Sequence, residues 1–521
     1  MASVTETKIV EVKIDPRDIT NEKVIRKTAL RKAGFSDSPE IHSSVVRRSI
    51  DARSRRPQFV CQVQLGERPQ KPSHSIFCPA KLTGKRVAIV GAGPAGYFAA
   101  LTLLEKGIKP IILERGKDVT ARRYDLKKIQ ADGLVDPHSN YCFGEGGAGT
   151  YSDGKLYTRA TKRGNVKRIL DLFIENGAEP DIRIDAHPHL GSNMLPRIVS
   201  SMREAITAAG GEVHFGAHVA DLIKDNDTLK GVVLGSGEQI TADAVILATG
   251  HSARDIFHTL VRNNVPVEAK PFALGVRIEH PQPLIDQIFY HQSPRHKNLP
   301  AASYRITTQV EERGVFSFCM CPGGFVVPAS TAPGELVLNG MSMSSRSAPF
   351  ANAGLVVEIR LEDVGGDPSD PLSALAFQAS VEKTMFEAGD GSSQKAPAQR
   401  VGDFIAGKLS ESLPESSYVP GLYTAPLNEL LPHTVADRLA KALPVFGRKY
   451  KGFDSNEAKM MAVESRTSSP VRVLRDRQSL EHPSVKGLYP CGEGAGYAGG
   501  IVSAAIDGER VATAVAEKLS A

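Results

Sequence analysis

Hydrophobic and polar positions alternate in a way that predicts a small α+β module at the start of the chain. The stretch KIVEVKI (residues 8–14) alternates as a half-buried strand does, and so do SSVVRRSIDA (43–52) and QFVCQVQL (58–65). Between the first two, NEKVIRKTALRKAG (21–34) is typical of a short helix that ends at a glycine. The polar, proline-rich segment that follows is typical of a linker. We therefore expect a ferredoxin-like α+β module over residues 1–80.

The next pattern is a strand, a turn, a helix and a second strand within about 30 residues, the size of a βαβ unit. RVAIV (86–90) predicts the first strand, YFAALTLLEKG (97–107) the helix and KPIILERG (109–116) the second strand. The 18 residues from 87 to 104 carry no charge and reach the length of a transmembrane candidate. Three glycines and a proline interrupt them, however, and a Glu-Lys pair follows at once. We interpret the run as part of a Rossmann-type α/β domain.

Amphipathic helices and short strands continue this domain, so its first part is expected over residues 81–264. Residues 265–460 have mixed patterns and many prolines, and their stretch EAGDGSSQKAPAQR (387–400) predicts a mobile loop. The last residues, 461–521, return to a strand, a glycine-rich loop and a helix. We therefore expect an α+β substrate domain inserted between two parts of the nucleotide-binding domain.

The composition is that of a globular enzyme, since 41% of the 521 residues are hydrophobic and 23% are charged. The net charge of +6 resides in the first 80 residues, which hold 15 Lys and Arg against 9 Asp and Glu. Their densest part, RRSIDARSRR (47–56), is either a patch for RNA, an anionic lipid or cofactor phosphates, or a solvated strand edge that its charges keep from pairing. Because no aromatic residues frame these charges, we favour the strand edge and do not expect a nucleic-acid partner.

Cysteine usage and the N-terminus bear on the compartment. The six cysteines are scattered and form no CxxC pair, which argues against a disulfide framework and the commonest zinc sites. No metal is expected. The first residues, MASVTETKIVEVKID, lack the apolar core of a secretory signal and contain acids that transit peptides avoid. We expect a cytoplasmic protein without a transmembrane segment.

The turn GAGPAG (91–96) has the GxGxxG spacing of dinucleotide-binding folds. Gly91 permits a tight turn, Gly93 lets the backbone approach a pyrophosphate, and Gly96 lets the helix and strand pack closely. The N-terminus of the following helix offers free N–H groups and a partial positive charge to the phosphates. Glu114, 23 positions after Gly91, ends the second strand, where an acid can accept hydrogen bonds from a ribose. The unit predicts FAD or NAD.

Two further glycine-rich stretches favour FAD. AVILATGH (244–251) resembles the ATG element of glutathione-reductase-like flavoproteins, and LYPCGEGAGYAGGI (488–501) resembles their C-terminal motif. The resemblance implies that Glu493 binds the ribityl chain. It also implies that a helix starting near Gly500 and Ile501 directs its positive end at the flavin pyrimidine. Reduced flavin is negatively charged there, so such a helix stabilises it.

Another cluster, FGEGGAGTYSDGKLYTR (143–159), has the small residues that allow the backbone to approach a flavin or a pyrophosphate. Together with RRSIDAR, KPFALGVRIEHPQPLID, FCMCPGGFVVPA and ESRTSSPVR, these motifs resemble the FAD-dependent, or NAD(FAD)-utilizing, dehydrogenases over nearly the whole chain. The resemblance implies FAD, a glutathione-reductase-like FAD-binding domain and an oxidoreductase, but no particular substrate. The expected cofactor-binding residues are Gly91, Gly93, Pro94, Ala95, Gly96, Glu114, Arg115, Gly146, Gly147, Ala148, Thr150, Val219, Ala248, Thr249, Gly250, Gly492, Glu493, Gly494, Gly500 and Ile501.

Three residues are candidates for the catalytic chemistry. Cys319 and Cys321 form a CxC pair that could place a thiolate near the flavin. A one-residue spacer strains a disulfide, however, and buried cysteines commonly act as small hydrophobic residues. Arg466 could hold a carboxylate or phosphate of the substrate, or it could pair with acids of the scaffold.

These features predict an FAD-dependent oxidoreductase that transfers a hydride between flavin N5 and an organic substrate. No second GxGxxG opens a helix after a strand, so an NAD(P)H donor is expected to visit the flavin only transiently. Two alternatives stay open. One is a flavoprotein whose basic N-terminal module binds RNA or a protein, and the other is an enzyme similar to geranylgeranyl reductases.

Overall fold

The computed structural model describes residues 7–67, 75–367 and 369–521, so part of the predicted linker lies outside the described residues. The strands are β1 (Lys8–Ile14), β2 (His42–Asp51), β3 (Gln58–Gly66), β4 (Arg86–Val90), β5 (Lys109–Glu114), β6 (Glu212–Phe215), β7 (Val219–Asp225), β8 (Thr228–Leu234), β9 (Gln239–Thr241), β10 (Ala244–Leu247), β11 (Val267–Ala269), β12 (Phe272–Pro281), β13 (Thr307–Val310), β14 (Arg313–Cys321), β15 (Phe325–Pro328), β16 (Leu338–Met341), β17 (Phe350–Ile359), β18 (Ala396–Arg400), β19 (Leu422–Thr424), β20 (Lys459–Glu464), β21 (Val471–Val473) and β22 (Leu488–Pro490). The helices are α1 (Glu22–Ala33), α2 (Pro94–Glu105), α3 (Val119–Asp132), α4 (Val166–Glu175), α5 (Leu195–Ala208), α6 (Arg254–Arg262), α7 (Gln282–Tyr290), α8 (Ser373–Glu387), α9 (Val401–Ile405), α10 (Leu427–Leu430), α11 (His433–Lys449) and α12 (Ile501–Ser520).

The N-terminal module is an antiparallel sheet in the order β1-β3-β2 with α1 packed against it. The side chain of Asn21 caps α1 by accepting a hydrogen bond from the N–H of Val24, and Gly34, with φ +74°, ends the helix. Alternate side chains of β1 and β3 are buried, as their sequence pattern predicts. A ferredoxin-like fold has the order βαββαβ. The described part of this module contains only βαββ.

A parallel five-stranded sheet in the order β22-β10-β4-β5-β6 forms the centre of the α/β domain. β4, α2 and β5 are the βαβ unit that the sequence predicts, and β22 joins the sheet beside β10. Stretches that are far apart in the chain therefore reach one edge of the sheet together. Ligands of open α/β folds bind at this edge, outside the carboxyl ends of the strands.

The uncharged run of residues 87–104 forms β4 and α2 of this domain. α2 begins at Pro94, three residues before its predicted start, because Gly93 occupies the N-cap and a proline suits the first helical position. α12 packs along α2 so closely that a Cβ added to Gly508 would lie 2.2 Å from the carbonyl oxygen of Ala95. Among the residues that the structure describes, no helix is long and apolar enough to cross a membrane.

The region between these two parts of the α/β domain forms its own sheet, in the order β13-β14-β17-β12-β20-β18-β19. β12 lies at its centre, is buried over nine of its ten residues, and pairs antiparallel with both β17 and β20. α8 and α11 pack against this sheet. The apolar core of the N-terminal module is continuous with the core of this inserted region.

The prediction of a mobile loop over residues 387–400 is wrong for its last part. α8 ends at Glu387, and residues 396–400 form the buried strand β18 between β20 and β19. The side chain of Gln399 is satisfied there, since it donates to the carbonyl oxygen of Lys408 and accepts from the N–H of Leu427. The segment APAQR has no β-branched residue to mark it as a strand, so its structure depends on pairing with distant residues.

The basic strand β2 is covered in part by the α/β domain. The N–H of Arg48 donates to the carbonyl oxygen of Ile184 at 2.7 Å, and the N–H of Ala186 donates to that of Arg48 at 2.8 Å. The Arg48 guanidinium also pairs with Asp181 and Asp185, at 2.9 and 2.7 Å. The sequence suggested a solvated strand edge. In the structure, this edge instead docks in part on the neighbouring α/β domain.

Candidate functional site

Three glycine turns that are distant in sequence meet at one cleft. A Cβ added to Gly91 would lie 2.5 Å from the carbonyl oxygen of Ala248, and one added to Gly494 would lie 2.3 Å from that of Gly250. Gly147 lines the same cleft opposite the first turn. The cleft opens into a cavity of about 270 Å³ at the carboxyl ends of β4, β5 and β10.

The glycines of the first turn have different surroundings. Gly91 has φ +109° and leaves no room for a side chain beside Ala248. Gly93 lines the cavity, and no atom lies within 4 Å of the place its Cβ would occupy. Gly96 does not line the cavity, because it packs on the turn, where an added Cβ would lie 2.0 Å from the carbonyl oxygen of Gly91. This geometry fits the three roles that the GxGxxG spacing predicts.

The buried carboxylate of Glu114 holds several turns together. Its Oε2 accepts a hydrogen bond from the N–H of Ala92, and its Oε1 accepts from the N–H groups of Gly116 and Gly144, all at 2.9 Å. A carboxylate offers about four acceptor positions, so Oε2 retains one. Because Glu114 also lines the cavity, this position can accept a hydrogen bond from a ribose hydroxyl.

Arg115, the next residue, belongs to a charged group at the same end of the cavity. Its guanidinium lies 4.4 Å from the ring centroid of Phe143 and pairs with Asp255. His218 Nε2 lies 2.7 Å from Asp255 Oδ2. Burial raises the pKa of Asp255, but the His218 hydrogen bond and the Arg115 charge outweigh it and lower the pKa to about 2. Arg115 is therefore held at the cavity wall by Phe143 and Asp255.

The third glycine cluster, residues 143–150, is supported from behind by a buried arginine, Arg122, that the sequence analysis missed. Arg122 is fully buried and donates from Nε to the carbonyl oxygen of Asn140 at 2.8 Å. Its Nη1 donates to the carbonyl oxygens of Glu145 and Gly147, at 2.8 and 3.0 Å. Arg122 does not line the cavity, so it holds the cluster from behind the cavity wall.

Glu145 ties the same cluster to neighbouring helices. Its Oε1 accepts from the hydroxyl of Tyr97 at 2.9 Å and lies 3.1 Å from Nε of Arg203, and its Oε2 accepts from the N–H of Val119 at 2.9 Å. Its side chain is completely buried. The only sequence signal for this role was an acid between glycines in FGEGG, which we interpreted as part of the cofactor loop.

The C-terminal motif supplies an acid and a helix N-terminus. The carboxylate of Glu493 lines the cavity and accepts no hydrogen bond from the described residues. Burial raises its pKa to about 7, although the charge of Lys270 acts in the opposite direction. Gly500, with φ +111°, caps α12, and Gly500 and Ile501 both line the cavity. The first turn of α12, with its free N–H groups, therefore lies at the cavity wall.

The structure brings fifteen of the twenty expected cofactor-binding residues to the cavity wall. They are Gly91, Gly93, Pro94, Ala95, Glu114, Arg115, Gly147, Ala148, Val219, Ala248, Thr249, Gly250, Glu493, Gly500 and Ile501. The other five, Gly96, Gly146, Thr150, Gly492 and Gly494, lie behind the wall and shape it. For example, the hydroxyl of Thr150 donates to the carbonyl oxygen of Glu145.

The candidate catalytic residues separate into two kinds. Cys319 lines the cavity, whereas Cys321 is buried and holds a contact of 3.4 Å with Arg277. Burial raises the pKa of the Cys321 thiol to about 12, and desolvation by the cavity walls raises that of Cys319. Neither cysteine forms a disulfide, and the raised pKa values favour the protonated thiols. The structure therefore gives no support to a thiolate near the flavin.

Arg466 lines the cavity but is engaged by the scaffold. It donates to Glu382, Glu335 and Thr331 at distances between 2.6 and 3.2 Å. Glu464, its sequence neighbour, instead pairs with the buried Arg277 at 2.7 Å. This arrangement favours the scaffold interpretation of Arg466 over substrate binding.

Five residues at the far end of the cavity were not singled out individually from the sequence. They are Ser152, Asp153, Lys155, Phe318 and Asn339. The first three lie in the stretch FGEGGAGTYSDGKLYTR (143–159), which was expected as a whole at the flavin or the pyrophosphate. Asn339 lies on β16, and nothing in its local sequence places it at the site.

Family models match most of the chain in segments. Residues 85–134 match an FAD binding domain, residues 194–320 an FAD dependent oxidoreductase, and residues 271–467 the family described as FAD-dependent protein, C-terminal domain-like. Residues 6–66 match a domain of unknown function. The matched models identify an oxidoreductase that uses FAD as its cofactor.

Two relatives differ in how much of the chain they cover. An uncharacterized protein of Clostridium beijerinckii is 41% identical over 517 residues, which are 95% of this chain and 96% of the relative. A thiamine thiazole synthase of Methanococcus maripaludis is 29% identical over 189 residues, which are 34% of this chain and 60% of the synthase. The second likeness therefore spans only part of either protein.

Among solved structures, a geranylgeranyl bacteriochlorophyll reductase-like protein of Thermoplasma acidophilum is 13% identical. The alignment covers 84% of this chain and 79% of that one, with a TM-score of 0.34. A TM-score of this size does not support an argument about the substrate.

Proposed function

The chain belongs to the same family of FAD-dependent oxidoreductases as its Clostridium beijerinckii relative, and from that premise we propose that it binds one FAD along the cavity, from Glu114 to the N-terminus of α12, and transfers a hydride between flavin N5 and an organic substrate. FAD supplies the electron-carrying chemistry when it is bound. The residues of the chain bind and orient it, and they exclude water from the reacting end.

The observation that carries this proposal is the convergence of four separate stretches on one cavity. The first turn offers Gly93 and the N-terminus of α2, which suit a pyrophosphate. Glu114 offers one free acceptor position for a ribose hydroxyl. The C-terminal motif offers Glu493, which suits the ribityl chain, and the N-terminus of α12, which suits the flavin pyrimidine.

The unpartnered carboxyl of Glu493 is the clearest sign of fit. It is partly buried in the cavity wall and receives no hydrogen bond from the described residues, so its oxygens are open to a ligand. Polyol hydroxyls, such as those of a ribityl chain, can donate to this carboxyl, and they can accept from it when it is protonated. Bound FAD would therefore give this carboxyl hydrogen bonds that the described residues do not.

The charges of the N-terminal module argue against the alternative in which this module binds RNA. Several of its basic side chains are paired with acids: Arg17 with Asp15, Arg26 with Asp37, Arg48 with Asp181 and Asp185, and Arg53 with Asp51. Asp15, Asp37 and Asp51 are already counted in the net charge of the module, so only Asp181 and Asp185 of the α/β domain lower it. The module's docking on the α/β domain points instead to a structural role near the site.

Flavin content and reduction test the proposal directly. The purified protein is expected to show the two absorption bands of a flavin at one FAD per chain. Apoprotein is expected to bind FAD much more tightly than FMN, because FMN lacks the half that meets Glu114 and the first glycine turn. Anaerobic titration with NADH and NADPH then identifies the donor by bleaching of the flavin bands.

Two outcomes would count against the proposal. Apoprotein that binds no FAD after reconstitution would remove the cofactor assignment from this cavity. Equal affinity for FAD and FMN would show that the nucleotide end of the cavity does not hold the adenosine half. A protein that binds FAD but is reduced by neither pyridine nucleotide would keep the site and change only the donor.

A further inference from the structure

The far end of the cavity is lined by side chains that no FAD-binding motif requires. Phe318 and Cys319 come from β14 and Asn339 from β16, both in the inserted region. Lys155 follows the third glycine cluster and lines the same end. A molecule beside the flavin, on the side away from the adenosine half, would meet these four side chains.

Lys155 has a fixed backbone and hydrogen-bond donors to spare. The N–H of Leu156 donates to the carbonyl oxygen of Pro188, and the N–H of Leu190 donates to that of Gly154, both at 2.9 Å. The Lys155 ammonium donates to the carbonyl oxygen of Met320. An ammonium has three donors, so two remain. The side chain is 40% exposed, which leaves these donors accessible from the cavity.

The nearest acid neutralises Lys155 only in part. Asp153 Oδ2 forms an ion pair with Lys155 Nζ at 3.8 Å, without a hydrogen bond, and the same oxygen pairs with the guanidinium of Arg346. Oδ1 of Asp153 accepts from the hydroxyl of Ser342 at 2.6 Å. One carboxylate therefore faces two cations, Lys155 and Arg346, and the three groups together carry a net charge of +1.

The next charged and titratable groups do not supply a negative charge either. Burial, and then the positive charges of Lys155, Arg47 and Arg346, lower the pKa of His187. Burial and Arg346 likewise lower the pKa of His189, so both rings are neutral at physiological pH. The far end of the cavity is therefore net positive.

Asn339 adds a second donor at this end. Its Oδ1 accepts from the N–H of Gly340 at 2.7 Å, which fixes the orientation of the amide. The NH₂ group of Asn339 donates to no acceptor among the described residues. An ammonium and an amide NH₂ without acceptors therefore line the same end of one cavity.

We propose that Lys155 and Asn339 bind a carboxylate of the substrate beside the flavin, so that the oxidised or reduced molecule is an organic acid. This inference rests on the proposed function, because it places the acid next to bound FAD. A carboxylate fits better than a phosphate, since this end offers neither an arginine fork with free donors nor a helix N-terminus. Phe318 then contacts the apolar part of the acid.

Benzoate, benzamide and phenyl phosphate test this inference on the FAD-loaded protein. Each is titrated while the flavin absorption spectrum is recorded, because a molecule bound beside the flavin perturbs its bands. Benzoate is expected to bind at least about tenfold tighter than benzamide, which corresponds to about 1.4 kcal/mol. Lys155→Met is expected to abolish this preference, and Lys155→Arg to keep most of it. Lys162→Met, at an exposed lysine away from the cavity, is the matched control and should behave as the unchanged protein.

The outcomes separate this inference from the proposed function. A protein that holds no FAD would overturn the proposed function itself. A Lys155→Met variant that holds FAD but still prefers benzoate over benzamide would overturn only the carboxylate site. So would phenyl phosphate that binds more tightly than benzoate, or an absence of saturable spectral change with benzoate. A changed flavin reduction potential in Lys155→Met without a lost preference would assign Lys155 to the flavin and not to the substrate.

Discussion

The two ends of the cavity differ in which parts of the chain form their walls. At the nucleotide end the walls are mostly backbone, supplied by short turns such as 91–96 and 147–149, which are contiguous in sequence. At the far end the walls are side chains. Phe318 and Cys319 come from β14 of the seven-stranded sheet, and Asn339 comes from β16 of the two-stranded sheet β15-β16. In our proposal the first end binds the adenosine half of FAD and the second end selects the substrate. Cofactor binding is therefore encoded locally and substrate binding is encoded by the assembly of the fold.

The largest effect is expected from placing a negative charge at the nucleotide end. In Gly93→Glu, the backbone tolerates a side chain, because φ is −81° and no atom lies within 4 Å of the added Cβ. The new carboxylate fills the space of the pyrophosphate and repels it. FAD affinity should fall at least about a thousandfold, or about 4 kcal/mol. Flavin per chain and the thermal stability of the apoprotein measure this.

Gly93→Ala is the matched control for that variant, since it adds only a methyl group to the open side of the turn. It should keep most of its flavin. A Gly93→Glu protein that stays yellow at the stoichiometry of the unchanged protein would contradict the placement of the pyrophosphate.

The second effect concerns the support behind the third glycine cluster. Arg122→Met removes three hydrogen bonds to carbonyl oxygens, and it leaves the oxygen of Asn140 without another donor among the described residues. The free energy of unfolding should drop by about 3 kcal/mol, and FAD should bind less tightly because the loop loosens. Arg123→Met, at the exposed neighbouring residue, should change neither quantity in calorimetry and flavin titration. Equal stability of the two variants would show that Arg122 does not hold the loop.

A smaller effect, dependent on pH, is expected at Glu493. The native pKa of about 7 lies above the ordinary 4.5, so the folded apoprotein binds this proton more tightly than the unfolded chain does. The contribution of this carboxyl to the free energy of unfolding is then fully present below pH 4.5, is lost as the pH rises to about 7, and is absent above that. Glu493→Gln removes this dependence and should stabilise the apoprotein at pH 8 by up to about 3 kcal/mol.

Denaturant unfolding of the apoprotein between pH 5 and pH 8 measures that difference. Glu179→Gln, at an exposed carboxyl, is the control and should leave the pH profile unchanged. Addition of FAD should reduce the difference between Glu493→Gln and the unchanged protein, because the ribityl hydroxyls satisfy the carboxyl. A Glu493→Gln profile that still falls between pH 5 and pH 7 would show that another group causes the dependence.

The smallest effect is expected at the CxC pair. Because both thiols stay protonated, Cys319→Ser and Cys321→Ser should each change the rate of flavin reduction by less than about tenfold, or about 1.4 kcal/mol. Stopped-flow reduction with the donor identified above measures the rate. A loss of a hundredfold or more in Cys319→Ser alone would restore a catalytic role for that thiol.

The comparison of the two ends also explains what could be predicted from the sequence. The βαβ unit at 86–116 was predictable because hydrophobic period, glycine turn and terminal acid all lie within one short stretch. Arg122 was not, because its partners are backbone carbonyls that come together only after the loop folds. Asn339 and the strand at 396–400 were missed for a similar reason, since the pairing of β16 with β15 places the first and the pairing of β18 with β20 and β19 places the second.

Hydrogen–deuterium exchange of the apoprotein and of the FAD-loaded protein tests the central claim most directly. If one FAD spans the cavity, its addition should slow exchange together in four peptides: those that contain residues 91–96, 146–150, 248–251 and 493–503. The peptide of the N-terminal helix, 22–33, should not change. Slower exchange in only one of the four would contradict the claim that these distant turns enclose a single FAD.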